Sequence, residues 1–259
     1  LDAEKWEERL QLLPDHRSLA ARVCLDSAAP FRLRLGAASL VPADDPRARE
    51  CAVALLEAYR VHEGPFSLDD RGALEGMRFP GQNAYVVEWL DSQDASSPDA
   101  RASIVKGWLE PKDPGAYEAA RAIFEAELRR VDQPMSIDTR ALSQVFEASE
   151  DHRDEIVELV ERALRTESGE YDVYLAGRLS WPEFIPAIAA LIEHPSHARR
   201  LAAISALRKF PEDPRAAEAV RKGMLDDVEQ VREMAAEVIE QWKLVRAAAV
   251  GLESVPSAD

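Results

Sequence analysis

The chain has 259 residues, a hydrophobic fraction of 46% and a formal net charge of −16. This length is enough for a well-buried core, either as one elongated array or as two compact domains. The negative charge argues against a nucleic-acid backbone or an anionic membrane as the main ligand, because both attract basic surfaces. It is compatible with a basic protein partner, and also with a role in solubility alone.

No stretch of the sequence approaches the length of apolar residues that a membrane-spanning helix needs. Residues 1–6 are typical of the start of a polar helix and not of a signal peptide. Arginine is far more frequent than lysine and alanine is abundant, which is typical of bacteria with GC-rich genomes. We therefore expect a bacterial, cytoplasmic protein. Cys24 and Cys51 lie among apolar residues and are expected to be buried thiols.

Helix-forming residues dominate the chain, and runs that alternate as a strand would are nearly absent. Residues 31–35 do alternate, but their apolar face continues through residue 40, so we predict a helix there. Further helices are predicted in the second half of the chain, at residues 138–149, 151–165, 171–179 and 182–193. The composition predicts an all-α fold.

The unit Asp-Pro-x-Ala-x-Glu occurs three times, starting at Asp45, Asp113 and Asp213. Asp is a favoured N-cap, since its carboxylate accepts the free N–H groups of the first helical turn. Pro fits the first helical position, where no N–H donor is needed. We therefore predict that these three Asp residues are helix N-caps. The gaps between the units, 68 and 100 residues, are close to two and three times about 33–34 residues, a period typical of stacked helical repeats.

The C-terminal third shows the clearest internal repeat. Residues 195–203 parallel residues 227–236, and Arg199 is followed 33 residues later by Arg232. A turn acid followed by Val-Arg and a pair of alanines resembles the HEAT-like repeat, in the short form also found in phycobilisome lyases. This resemblance implies an α-solenoid of stacked antiparallel helix pairs that form a superhelix. It also implies that Asp226 or Asp227, together with Arg232 and Arg199, supports the stacking of neighbouring repeats.

The repeat pattern also suggests how the chain is divided. We expect a single solenoid array over residues 1–250, with the clearest repeats at 182–244 and a frayed tail at 251–259. The loop-like composition of residues 91–98 leaves open a break between two subdomains at that point.

The sequence contains no nucleophile elbow and no Gly-rich phosphate loop. His194 and His197 are close together, but Pro195 interrupts the helical spacing that a metal site would use. We therefore predict no catalytic residue, no cofactor and no bound metal.

One cluster could contact a partner. Tyr171, Asp172, Tyr174 and Trp181 combine aromatic and acidic side chains, which make good interface anchors. Packing between adjacent helices is the alternative explanation for these residues, and the sequence leaves both open.

The leading functional hypothesis is a non-enzymatic protein–protein interaction module or scaffold with an acidic surface. Acidic residues are concentrated over residues 132–172, which favours a basic partner, and a bacterial immunity or antitoxin protein would fit this pattern. One alternative is a HEAT-like DNA glycosylase, which needs a basic groove with aromatic residues. Another is a cofactor lyase or chaperone, by analogy of fold with the phycobilisome lyases.

Overall fold

The computed structural model describes residues 15–61, 68–93, 101–129, 139–166 and 170–253. Within these ranges the chain forms helices joined by turns, without any β-strand. The predicted all-α fold is therefore confirmed, and residues 31–35 lie in a helix as expected. Of the described helices, none combines the length and the apolar character that crossing a membrane requires.

Seven helices occur in the described residues up to Arg129. They are α1 (His16–Leu25), α2 (Phe31–Ala38), α3 (Ala48–Val61), α4 (Leu68–Glu75), α5 (Gln82–Asp91), α6 (Arg101–Gly107) and α7 (Ala116–Leu128). Seven more occur in the described residues from Thr139 onwards. They are α8 (Thr139–Ala148), α9 (Arg153–Leu164), α10 (Tyr171–Leu179), α11 (Ile185–Ala190), α12 (His197–Leu207), α13 (Pro214–Gly223) and α14 (Glu229–Glu253). Short 3₁₀ turns precede α9 and lie on both sides of α11.

These helices form two compact units, one containing α1–α7 and the other α8–α14. The change from one unit to the other falls between Arg129 and Thr139, and not at residues 91–98. The single array over residues 1–250 remains a prediction. Residues 251–253 continue α14, and the rest of the predicted tail lies outside the described residues.

In the first unit, α1 packs against α2 and α3, and α5 packs against α7. Cys24 on α1 and Cys51 on α3 are fully buried free thiols, as their apolar neighbours predicted. A hydrogen bond with Cys51 and burial together raise the pKa of the Cys24 thiol far above its usual value. These thiols therefore belong to the core.

The helices of the second unit alternate between two layers. One layer is formed by α8, α10, α12 and α14, in which α10 packs against α8 and α12, and α12 packs against α14. In the other layer α11 packs against α9 and α13. The buried residues between the layers include Ile156, Phe184, Ala203 and Val238. Each helix pair is covered by the next pair, which is the stacking predicted for a HEAT-like α-solenoid.

Candidate functional site

The Asp-Pro units at Asp45 and Asp213 share one local geometry. In each unit the Asp Oδ1 accepts the backbone N–H of the Arg two residues later at 2.8 Å. The guanidinium of the same Arg also pairs with both carboxylate oxygens. Hydrogen bonding to Arg215 lowers the pKa of Asp213 to about 2, and Arg47 lowers the pKa of Asp45 in the same way. Asp213 directly precedes α13, whereas two residues separate Asp45 from α3.

The unit at Asp113 begins its helix differently, because Gly115 stands where the other two units have Arg. Gly115 has a φ of 75° and is the residue directly before α7. The carbonyl of Asp113 accepts a hydrogen bond from Nδ2 of the buried Asn83 at 3.3 Å. The predicted N-cap at Asp113 is thus corrected, since a left-handed glycine occupies the position before this helix.

Two arginines of the second unit make the same contact 32 residues apart. Nη1 of Arg200 donates to the carbonyls of residues 194 and 195, and Nη1 of Arg232 donates to those of residues 226 and 227. The helices that carry them, α12 and α14, also begin 32 residues apart. Arg200 is therefore the counterpart of Arg232, and the predicted pairing of Arg199 with Arg232 at a spacing of 33 is corrected.

The turns before these two helices confirm the 32-residue register. Oδ1 of Asp226 accepts the N–H of Val228 at 2.9 Å, and Nδ1 of His194 accepts the N–H of Ser196 at 3.0 Å. The imidazole of His194 and the carboxylate of Asp226 thus accept hydrogen bonds from equivalent backbone N–H groups in successive repeats. His194 is accordingly part of the turn. Among the described residues, no three His, Cys, Asp or Glu side chains come together in a way that could hold a metal ion.

Arg200 also connects its repeat to the next one. Its Nε and Nη2 donate to the two carboxylate oxygens of Asp226 at 2.7 and 2.8 Å, and Nη2 also reaches Asp227 at 2.8 Å. The side chains of Arg200 and Asp226 are only 10% and 7% exposed. Hydrogen bonding to Arg200 lowers the pKa of Asp226 to about 2. The predicted stacking acids therefore meet Arg200, while Arg232 binds their backbone carbonyls.

Arg199 faces the interior of the second unit. Its Nη2 lies 2.9 Å from Asp172 Oδ2, and the two side chains are 3% and 0% exposed. Its guanidinium also donates to the carbonyls of Leu164 and Thr166, so it connects α12 with α10 and with the end of α9. Burial raises the pKa of Asp172 to about 6, and Arg199 opposes this shift. Asp172, predicted to contact a partner, is instead half of a core ion pair.

Trp181 is buried as well. Its ring stacks on Phe184 with 5.7 Å between ring centroids. The guanidinium of Arg153 lies 4.3 Å from the centroid of the Trp181 ring. The same guanidinium forms a bidentate ion pair with the carboxylate of Glu183. Trp181 is therefore enclosed by packing, and its predicted role in partner binding is corrected.

The two tyrosines of the predicted cluster lie on a surface groove. The groove measures about 630 Å³ and is formed by α8, α10 and α12. We call it the α8/α10/α12 groove, and Tyr174 in it is 45% exposed. Its lining residues are Thr139, Arg140, Ser143, Gln144, Glu147, Tyr171, Tyr174, Gly177, Arg178, Ser205, Ala206 and Lys209. Sequence reasoning found the tyrosines but missed the other members, which come from three separate helices.

The groove has a floor of small residues. A Cβ atom at Gly177 would lie 2.8 Å from the Cβ of Ala206 and 3.0 Å from its Cα. Only glycine allows α10 and α12 to approach so closely at this point. At this point the bottom of the groove is therefore formed by small residues, with larger side chains around them.

The groove is locally basic although the chain is acidic. The cations come from Arg140 on α8, Arg178 on α10 and Lys209 in the turn after α12, and Glu147 is the single carboxylate among the lining residues. Within the described part of the chain, the side chains of Arg178 and Lys209 have no hydrogen-bond or ion-pair partner. The groove therefore presents hydroxyl groups, aromatic rings and cations with unpaired side chains, and each of these groups can contact a bound partner.

Residues 173–240 match the protein-family model described as HEAT repeats. The matched segment runs from α10 into α14 and contains the Arg200–Asp226 contact. A search of curated proteins found no match. The phycobilisome-lyase form of the repeat is not addressed by the family match and remains a prediction. Residues 173–240 are thus similar to HEAT repeats, a fold common in protein-interaction scaffolds and typically non-enzymatic, and the packing of helices in the second unit is consistent with a HEAT-like α-solenoid.

Proposed function

We propose that the chain is a non-enzymatic protein-interaction module and that the α8/α10/α12 groove is its docking site. The observation that carries this proposal is the lining of the groove, in which two tyrosines and two cations with unpaired side chains lie on α10 and just beyond the end of α12. Tyrosine gives a large contact area at a small cost in side-chain entropy. Stacked repeats place such side chains along one continuous surface.

The placement of side chains on α10 supports a binding face. Tyr171, Tyr174 and Arg178 are spaced three and four residues apart, so they lie on one side of the helix. Ser205 on α12 and Lys209, two residues beyond the end of α12, are four residues apart and line the same groove. The floor formed by Gly177 and Ala206 holds these helices in close contact. The groove is thus largely preformed, which lowers the entropy lost on binding.

A photo-crosslinking amino acid in place of Tyr174 tests this function. In the full chain, it should capture a protein from a lysate of the source organism, and excess wild-type chain should compete with the capture. The same amino acid in place of Arg221, which is exposed on α13 in the other layer, is the control. Capture of the same proteins at both positions, or of none at position 174, would contradict the proposal.

A second candidate function is the binding of a basic protein through exposed acidic residues. Asp154, Glu155 and Glu158 are exposed on α9, and the chain carries a net charge of −16. A field of one sign speeds association with an oppositely charged partner. A basic protein, such as the target of an immunity or antitoxin protein, would dock on this face.

The test of the acidic version uses charge reversal. Glu155→Lys and Glu158→Lys should slow association with a basic protein captured by a photo-crosslinking amino acid in place of Asp154, and higher salt should have the same effect on the wild type. Glu218→Lys, on α13, is the matched control for the same charge change. Association that is equally fast in all three variants would exclude docking on α9.

A further inference from the structure

The charge of the α8/α10/α12 groove is opposite to that of the chain as a whole. Elsewhere in the second unit Arg153, Arg200 and Arg215 pair with carboxylates of the chain itself. Arg178 and Lys209, in contrast, have no such partner among the described residues. A carboxylate supplied from outside would complete their interactions. We infer that the groove takes an acidic peptide segment of the partner protein, an inference that rests on the docking function proposed above.

The spacing of the cations favours an extended segment. Arg178 lies near the end of α10, and Lys209 lies two residues beyond the end of α12, the next helix of the same layer. Packed helices are about 8–10 Å apart, and an extended chain advances about 3.3 Å per residue. A segment that crosses from the end of α10 to the end of α12 therefore meets the two cations about three residues apart. Asp or Glu at this interval is the pattern that the groove selects.

The other lining groups suit the rest of such a segment. Tyr171 and Tyr174 offer aromatic faces on α10, the helix that carries Arg178, and other side chains of the segment can pack against them. The hydroxyl of Ser205 and the amide of Gln144 can exchange hydrogen bonds with its peptide groups. The low floor at Gly177 admits the backbone between these side chains.

The net charge of the chain does not prevent this binding. At physiological ionic strength the Debye length is about 8 Å, so distant carboxylates are largely screened from the groove. A carboxylate seated against the Arg178 guanidinium is much closer than that. Charge-assisted hydrogen bonds of this kind are about twice as strong as neutral ones. The local cations therefore determine which peptides the groove prefers. Repulsion from the net negative charge of the chain mainly lowers the rate at which an acidic peptide approaches.

A selection from random peptides tests the inference without knowledge of the partner. Displayed peptides of about 10 residues, long enough to cross the groove, are selected on the full wild-type chain. The enriched peptides should carry net negative charge, with two Asp or Glu residues about three positions apart. Selection on Arg178→Glu should lose this enrichment. Arg221→Glu, an equal charge change on α13, should retain it.

The affinity of one enriched peptide gives the quantitative test. Its dissociation constant, measured by fluorescence anisotropy, should rise at least about tenfold in Arg178→Glu and in Lys209→Glu. It should change less than about twofold in Arg221→Glu. Circular dichroism of each variant confirms that the helices are retained.

Three results would overturn the inference. Enrichment of neutral or basic peptides would leave the docking function intact but reject an acidic partner segment. A single-stranded oligonucleotide that binds more tightly than any peptide, and loses affinity in Arg178→Glu, would assign the groove to nucleic acid. If no peptide is enriched, the acidic segment is rejected, and the photo-crosslink at position 174 then decides separately whether a protein docks in the groove.

Discussion

Arg200 and Asp226 belong to consecutive repeats, and their side chains form a bidentate ion pair with distances of 2.7 and 2.8 Å. The same guanidinium donates to the carbonyls of His194 and Pro195 in the turn before its own helix. One arginine therefore joins the turn of its own repeat to the turn of the next. Because both side chains are largely buried, this contact strongly favours one register between the two helix pairs.

Loss of the Arg200 side chain should destabilise the second unit. In Arg200→Gln the carboxylate of Asp226 stays buried without its partner, and we expect a loss of about 3 kcal/mol in the free energy of unfolding. Arg215→Gln is the control, since that pair is more exposed and its loss should have a much smaller effect on the free energy of unfolding. Urea unfolding of the full chain measures both. Equal effects in the two variants would show that the pair between repeats has no special role.

The close approach of α10 and α12 predicts that Gly177→Ala is destabilising. The added methyl group would lie 2.8 Å from the Cβ of Ala206, and separating the helices should lower the melting temperature and cost about 1–3 kcal/mol. A second change, Ala206→Gly, should recover part of this loss. Gly72→Ala is the control, because a Cβ there meets nothing within 4 Å and should slightly stabilise α4. If Gly177→Ala were as benign as Gly72→Ala, the packing described for this crossing would be incorrect.

The buried carboxyl of Asp172 predicts a pH dependence of stability. Burial raises its pKa from 3.8 to about 6 in the folded chain, so the folded state binds this proton more tightly than the unfolded state. The resulting stabilisation is fully present below pH about 4 and is lost as the pH rises through about 6. In the Asp172→Asn variant the side chain at this position has no titratable group. The unfolding free energy of the wild type minus that of the variant should therefore fall by about 3 kcal/mol between pH about 4 and pH about 7.

The comparison with Asp172→Asn removes the contribution of the other carboxylates, which titrate in both proteins. Urea unfolding at several pH values gives the difference directly. A difference that stays constant, or that grows with pH, would mean that Arg199 outweighs burial at this site.

The two kinds of Asp-Pro unit predict different costs for the same substitution. Asp213→Ala removes the carboxylate that accepts the N–H of Arg215 at the start of α13, and should cost about 1 kcal/mol. Asp113→Ala should cost less than about 0.5 kcal/mol, since Gly115 is the residue before α7. Thermal unfolding of the two variants against the wild type measures the contrast. Similar losses of stability in both variants would indicate that Asp113 is a helix N-cap after all.

The amino-acid sequence was sufficient to predict the all-α fold and the similarity of the C-terminal part to HEAT repeats. Both follow from local effects, namely helix propensity, apolar periodicity and the ability of an Asp-Pro pair to end one helix and begin another. The exception at Gly115 also has a local cause, but the left-handed conformation of that residue becomes evident only when its φ is known.

The tertiary structure alone decided which side chains meet. Arg199 and Arg200 are adjacent in sequence, but one residue turns the side chain by about 100° around the helix. The first therefore enters the core beside Asp172, and the second reaches Asp226 in the next repeat. The groove likewise gathers residues from three helices that are far apart in the chain. Sequence patterns record the period of each helix, whereas contacts between helices depend on how the layers pack.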